Sequence, residues 1–213
     1  MSCRAARTDV EIRLVEGLDA MFSRYADIFD RARPYLDTRS NDVHTSIAFR
    51  LALQLLAYYP EADESVVLPA VILHDVGWKM IPEEVQLTAF GPNMSNADLR
   101  RQHEKEGACI AGDILSKLNY DPKKAEEIMA IIDGHDSREA PLSLNDKLVK
   151  DADKLWRFTP EGVEIDHRRF GFVRKVYLVW LEKQIDGWMN TPEARQIARQ
   201  QLASAVVSEA GAG

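Results

Sequence analysis

The stretch SVVLPAVILHDVGW, residues 65–78, joins a nearly all-apolar segment to a histidine–aspartate pair. Its many β-branched residues would suit a buried strand. However, the chain has no second strand-like run to pair with it, and an isolated strand is unstable, so we predict a buried helix that ends at His74–Asp75. An aspartate at the negative end of a helix dipole is unfavourable unless a cation compensates it. The pair therefore indicates a site that binds positive charge.

Helical periodicity dominates on both sides of this segment. Apolar residues spaced three and four apart predict helices over 8–31 and 42–58. Residues 77–95 are predicted to form a loop with a short helix near 83–90. Capping signals predict further helices over 96–118, 121–134, 143–158, 168–188 and 192–207. We therefore predict an all-α, single-domain helical bundle over residues 1–213, with a core at about 41–158, on which the N-terminal helix and the C-terminal helices (168–207) pack.

Composition excludes several classes of protein. The chain has 213 residues, of which 46% are hydrophobic, and such a chain is long enough for one core and too apolar to be disordered. A net charge of −7 argues against binding long nucleic acid. Two cysteines are too few for a disulfide scaffold, and no stretch approaches ~18 consecutive apolar residues. We expect a cytoplasmic protein without a membrane partner.

Histidine and aspartate residues recur on separate predicted helices. Imidazole and carboxylate together suit divalent ions such as Mn, Fe, Ni, Mg or Zn. No short-spaced zinc pattern is present, which excludes a zinc finger. The candidates in chain order are His44, His74, Asp75, His103, His135 and either Asp151 or Asp153.

Four of these residues resemble a known family. His44, His74–Asp75 (in AVILHDVGW) and Asp153 (in KDADKLW) are similar to the HD-domain superfamily, an all-helical fold whose members are mostly metal-dependent phosphohydrolases. The resemblance implies that these four side chains bind one divalent ion. Asp151 and Asp153 differ by about 200° around a helix, so both cannot face that ion. The resemblance favours Asp153.

A second pair of histidines resembles the two-metal members of the superfamily. His103 (in QHEKEGA) and His135 (in IIDGHD) would then hold a second ion, with Asp75 bridging the two. The alternative is that both histidines contact the substrate or orient a ligand. Glu104 and Asp136, which follow them, could orient an imidazole. For both, a surface carboxylate is the preferred interpretation.

Three cations are candidates for substrate binding. Lys154 resembles the phosphate-contacting lysine of the deoxynucleotide triphosphohydrolase branch, and we expect Lys154 and Asp75 to serve catalysis. A solvated helix lysine is an equally good interpretation of Lys154. Lys79 and Arg138 are further candidates for contact with an anion. Trp78 stands where several branches of the superfamily carry a lysine.

The resemblance implies a metal-dependent phosphohydrolase that cleaves a phosphate mono- or diester, such as a nucleotide or another small phosphorylated metabolite. One alternative is a di-iron oxygenase of the same fold that acts on a polyol or a phosphonate. Another is a non-catalytic module that senses a nucleotide. The aromatic-rich region over 156–188 is interpreted as core packing or as the interface of a homodimer.

Overall fold

The computed structural model describes residues 20–210, and side chains as far as residue 207. All regular secondary structure in that range is helical, which confirms the all-α prediction. Short 3-10 helices cover Val76–Met80 and Trp156–Phe158. The α-helices are α1 (Ala26–Leu36), α2 (Asn41–Leu56), α3 (Glu64–Leu73), α4 (Glu83–Gln86), α5 (Ala97–Lys117), α6 (Pro122–Ile132), α7 (Leu144–Leu155), α8 (Pro160–Arg169), α9 (Arg174–Trp188) and α10 (Pro192–Ala210).

The apolar segment forms the central helix α3, not a strand. Asp63 caps it by accepting a hydrogen bond of 2.9 Å from the backbone N–H of Ser65. Every residue from Val66 to Leu73 is buried, because α2, α6 and α7 pack around this helix. A helix that is covered on all sides has no polar face, which explains why the segment lacks the usual amphipathic pattern.

Most of the other predicted helix starts are confirmed. The side chains of Asn96, Asp121 and Ser143 each accept a backbone N–H from the first turn of α5, α6 and α7, respectively. These caps satisfy donors that have no partner within the helix. They also determine where α5 and α7 begin, and therefore which way their candidate ligands face.

The prediction of one helix over 168–188 is wrong. Helix α8 covers Pro160–Arg169, and α9 starts only at Arg174. Between them Gly171 has a φ of 70°, a conformation that favours glycine and ends a helix. The predicted helix over 8–31 also differs, since a turn interrupts it at Tyr25 and α1 continues to Leu36, while residues 8–19 lie outside the described range.

The aromatic C-terminal region contributes to the core. Trp156, Phe158 and Tyr177 are fully buried, and Trp180 and Trp188 pack against the same cluster. Core packing therefore accounts for these side chains, and the homodimer stays a prediction. None of the helices between residues 20 and 210 combines the length and apolar character needed to cross a membrane.

A close contact between two backbones brings the His74–Asp75 segment next to α5. A Cβ atom on Gly77 would lie 2.0 Å from the carbonyl oxygen of His103 and 2.5 Å from the backbone nitrogen of Gly107. Only glycine allows such an approach. The contact places Asp75, two residues before Gly77, beside His103.

Candidate metal centre

Three side chains form a first compact set. The Nε2 atoms of His44 and His74 lie 3.0 Å apart. The Oδ1 atom of Asp153 lies 3.3 Å from the first and 3.4 Å from the second. Three donor atoms at such mutual distances can hold one ion. These residues come from α2, from the end of α3 and from α7.

A second set lies on the other side of Asp75. The Nε2 atoms of His103 and His135 lie 3.3 Å apart. The Oδ1 atom of Asp75 is 3.8 Å and 3.7 Å from these two atoms, and it is also 3.7 Å from Nε2 of His74. Asp75 is therefore adjacent to both sets, as expected for a residue that could bridge two ions. The Oδ2 atom of Asp136 completes the second set at 3.6 Å from His103.

The tautomers of two histidines show that the centre fits a cation. Nδ1 of His74 donates to the carbonyl oxygen of Val71 at 2.7 Å, and Nδ1 of His135 donates to that of Ile132 at 2.9 Å. When the imidazoles are neutral, both Nε2 atoms therefore carry lone pairs directed into the centre. Lone pairs and carboxylates that converge in a buried space need a proton or a metal ion between them.

The pKa values of these imidazoles and carboxylates follow from their burial and from the charges of their neighbours. Burial alone would lower the pKa of His135, but the neighbouring carboxylates of Asp75 and Asp136 raise it to about 9. Burial and the neighbouring His135 lower the pKa of His103 to about 4. Although burial opposes it, the charge of His74 holds the pKa of Asp75 well below its usual range. The carboxylates thus favour a proton on His135, whereas burial disfavours one on His103.

Trp78 holds Asp75 in place. Its indole Nε1–H donates a hydrogen bond of 3.0 Å to Oδ1 of Asp75. Its ring stacks on the imidazole of His103, with the ring centres 4.0 Å apart and the planes 15° apart. The tryptophan therefore orients one candidate ligand from each of two elements, which is a different task from the substrate contact made by a lysine at this position.

The segment that carries His135 and Asp136 is held from two sides. On one side the buried carboxylate of Glu104 accepts from the backbone N–H groups of Asp136 (2.8 Å) and Ser137 (2.6 Å). On the other side the ammonium of Lys150 donates to three backbone carbonyl oxygens of residues 134, 135 and 138. The conformation of this segment therefore depends on two buried charges from neighbouring helices.

Lys154 lies on the more accessible side of the centre. Its ammonium contacts the carboxylates of Asp136 and of Asp153, the latter at 2.6 Å. Lys154 and Asp136 are 20% and 17% exposed, whereas the side chains of His44, His74, Asp75, His103, His135 and Asp153 are at most 7% exposed. Burial would lower the pKa of Lys154, but the two carboxylates raise it above its usual range. Lys154 is therefore a cation at the edge of the cluster.

Two other candidates, Asp151 and Lys79, have contacts away from the cluster. Asp151 accepts hydrogen bonds from the backbone N–H groups of Asn190 (2.7 Å) and Thr191 (3.0 Å), the two residues that precede α10. Lys79 is exposed and donates to the carbonyl oxygen of Asp37 at 2.9 Å. The structure thus places Asp153, and not Asp151, next to the histidines, and it does not support Lys79 as a substrate contact.

Arg138 also has a structural set of partners. Its guanidinium pairs with the buried Asp146 at 2.9 Å and donates to the carbonyl oxygens of Ala130 and Asp133. These contacts join the end of α6 to the start of α7. They give no support to the prediction that Arg138 binds substrate.

The interpretation of Glu104 and Asp136 as surface carboxylates is wrong. Glu104 is fully buried, and Asp136 lies at the edge of the cluster, 3.6 Å from His103. Nothing in the sequence predicts that Trp78 holds Asp75 or that Arg39 lies close to it. Arg39, from the turn before α2, lies with Nη2 4.0 Å from Oδ2 of Asp75. Burial lowers the pKa of Arg39 to about 10 even though Asp75 opposes the shift.

Residues 20–210 thus form an all-helical protein with a buried histidine–aspartate cluster that could hold a metal ion. The family model for the HD domain matches residues 42–157, more than half of the chain, and the chain belongs to this family. HD domains are generally metal-dependent phosphohydrolases. Searches of curated proteins and of solved structures find no significant match.

Proposed function

We propose that this protein is a metal-dependent phosphohydrolase that cleaves a phosphate mono- or diester in a nucleotide or another small phosphorylated metabolite. The observation that carries the proposal is the convergence of four imidazoles and three carboxylates in one buried cluster. The family supports the same chemistry.

The two sets of ligands would hold one or two divalent ions. His44, His74 and Asp153 would bind one, His103 and His135 the other, and Asp75 would serve both. Four imidazoles favour a transition ion such as Mn, Fe, Ni or Zn over Mg, which prefers oxygen ligands. A bound divalent ion lowers the pKa of water towards ~7 and binds phosphoryl oxygens.

The residues of the chain supply orientation and charge. Trp78 keeps the carboxylate of Asp75 turned towards the histidines through its N–H donor. Lys154, which the two neighbouring carboxylates keep protonated, would donate its N–H groups to phosphoryl oxygens that approach from the accessible side. Such a cation stabilises the negative charge that develops as the phosphoester bond breaks.

The test is a panel of phosphate mono- and diesters, assayed for phosphate or nitrophenol release with Mn²⁺ and Mg²⁺. We expect release by the wild-type protein and a loss of kcat of roughly 10²-fold or more in Lys154→Met. The exposed Lys147 lies on the same helix, and Lys147→Met is the matched control that should retain activity. No release from any ester would refute the hydrolase.

The same six ligands favour one second candidate, the di-iron oxygenase, because Asp75 is adjacent to both histidine pairs. An iron content near two per chain, with oxygen uptake in the presence of a polyol or a phosphonate, would identify the protein as the oxygenase and not as the hydrolase. A bound nucleotide without turnover would instead indicate a sensor.

A further inference from the structure

Three arginine side chains converge on the ring of Phe90. The guanidinium carbons of Arg39, Arg157 and Arg169 lie 4.1, 5.5 and 6.0 Å from its centre. Their side chains are only 8%, 10% and 10% exposed. They come from the turn before α2, from the 3-10 helix after α7 and from the end of α8. The fold therefore collects three buried cations in a chain whose net charge is −7.

The charges of this cluster are not balanced. The buried carboxylate of Asp166 pairs with Arg157 and, at 3.1 Å, with Arg169, so that one anion serves two cations. The nearest carboxylate oxygen to Arg39 belongs to Asp75, at 4.0 Å, which is too long for a hydrogen bond. Asp75 also faces the histidines of the metal centre. Surplus buried positive charge is costly, and a bound anion would offset it.

Arg39 has donors without an acceptor. Its Nε and Nη1 atoms are buried and have no hydrogen-bond partner among the described residues. The guanidinium also lies 4.2 Å from the centre of the Trp78 ring. Aromatic faces attract a cation, but they do not satisfy N–H groups in its plane. A ligand with two acceptor oxygens would satisfy them.

The backbone at Arg39 is strained as well. Arg39 and Ser40 have φ angles of 54° and 58°, in the left-handed region that residues with a side chain seldom adopt. Such strain collects at ligand sites, where it holds a side chain in a required position. Here the turn presents Arg39 above Asp75 immediately before the helix that carries His44.

We propose that Arg39 binds the phosphate group of the substrate beside the metal centre, and that Arg157 and Arg169 provide the surrounding positive field. The planar fork of a guanidinium matches two phosphate oxygens, which would supply the acceptors that Arg39 lacks. That this phosphate is the reacting group rests on the proposed function. Binding of phosphate as such requires no turnover.

The experiment measures binding of inorganic phosphate to the full chain by calorimetry and by thermal unfolding, at constant ionic strength against chloride and acetate. The protein is tested as purified and after chelation of metal. We expect phosphate to bind the wild type more tightly than acetate or chloride in both forms. Arg39→Met should weaken phosphate binding by roughly 10- to 100-fold.

The variants separate recognition from folding. Arg39→Met keeps the apolar stem and removes the unpaired donors, so without phosphate it should unfold at the temperature of the wild type or above. Arg39→Lys keeps the positive charge but lacks the planar guanidinium, so it should bind phosphate with intermediate affinity. If Arg39→Met fails to fold, Arg39→Lys is compared with the wild type instead. The exposed Arg31 on α1 provides the control Arg31→Met, which should bind phosphate as the wild type does.

Equal phosphate affinity in Arg39→Met and the wild type would overturn the proposal, as would a wild type that does not bind phosphate or does not prefer it to acetate. If only the proposed hydrolase activity is wrong, the experiments give a different result. In that case phosphate binding would still depend on Arg39, while the wild type would release phosphate from no ester.

Discussion

Replacement of Lys150 by methionine tests how the protein holds the segment that carries His135 and Asp136. The buried ammonium of Lys150 donates to the carbonyl oxygens of Gly134, His135 and Arg138 at 2.8, 2.7 and 2.9 Å. A hydrogen bond from a charged donor contributes about 1.5–3 kcal/mol, and a buried carbonyl left without a partner costs about 1–3 kcal/mol. Methionine fills a similar volume but satisfies none of these carbonyls.

The expected loss of stability in Lys150→Met is smaller than the summed contributions of the three hydrogen bonds. Burial lowers the pKa of Lys150, which shows that its charge is held at a desolvation cost that methionine does not carry. We therefore expect the free energy of unfolding to fall by about 3–5 kcal/mol. Urea unfolding of the metal-depleted protein at pH 7 measures it. Lys147→Met, on the exposed face of the same helix, should change it by less than about 0.5 kcal/mol.

The same variant should weaken metal binding. Without Lys150, the segment at residues 134–138 is freer to move and orients the His135 imidazole poorly. Loss of such support typically reduces metal affinity by about 10- to 100-fold. If Lys150→Met is as stable as Lys147→Met and binds metal equally well, the assigned role of this lysine is wrong.

Three further predictions concern the ligands. Asp75→Ala should lose both metal and activity, and full activity in that variant would be incompatible with the proposed chemistry. Asp153→Asn should lose metal but fold, whereas Asp151→Asn should keep metal but unfold more easily. Metal content and thermal unfolding distinguish the two variants. The reverse pattern would show that Asp151 is the ligand. Since the pKa of folded His135 is about 9 and that of an unfolded histidine is near 6.5, its proton stabilises the metal-free protein below pH ~6.5, and this stability is lost as pH rises to 9. A metal ion bound to His135 would replace that proton, so metal affinity should rise with pH up to about 9. Calorimetric titrations in two buffers of different protonation enthalpy should show that metal binding releases protons. A metal affinity that does not depend on pH would contradict this prediction.

Local signals predicted much of the fold. The caps at Asn96, Asp121 and Ser143 act within one turn of the chain, so their positions in the sequence define helix starts directly. The cap at Thr159, followed by Pro160, is a signal of the same kind for the start of α8. The break at Gly171 lay inside a predicted helix because periodicity alone tolerates one glycine.

The site was predictable only as a set of residue types. The order of histidines and aspartates resembled a family, which is why His44, His74 and Asp153 could be proposed as neighbours. The contributions of Trp78, Lys150 and Arg39 could not be predicted, because each depends on residues that only the fold brings near. A buried lysine that binds backbone carbonyls and an exposed lysine look alike in a sequence.

The most direct measurement of the central claim is elemental analysis of the untreated protein beside Asp75→Ala and Asp153→Asn, each checked for folding by circular dichroism. The account predicts at least one divalent ion per chain in the wild type and little or none in either folded variant. Equal metal content in all three proteins, or a wild type that cannot take up a divalent ion even when one is supplied, would contradict it.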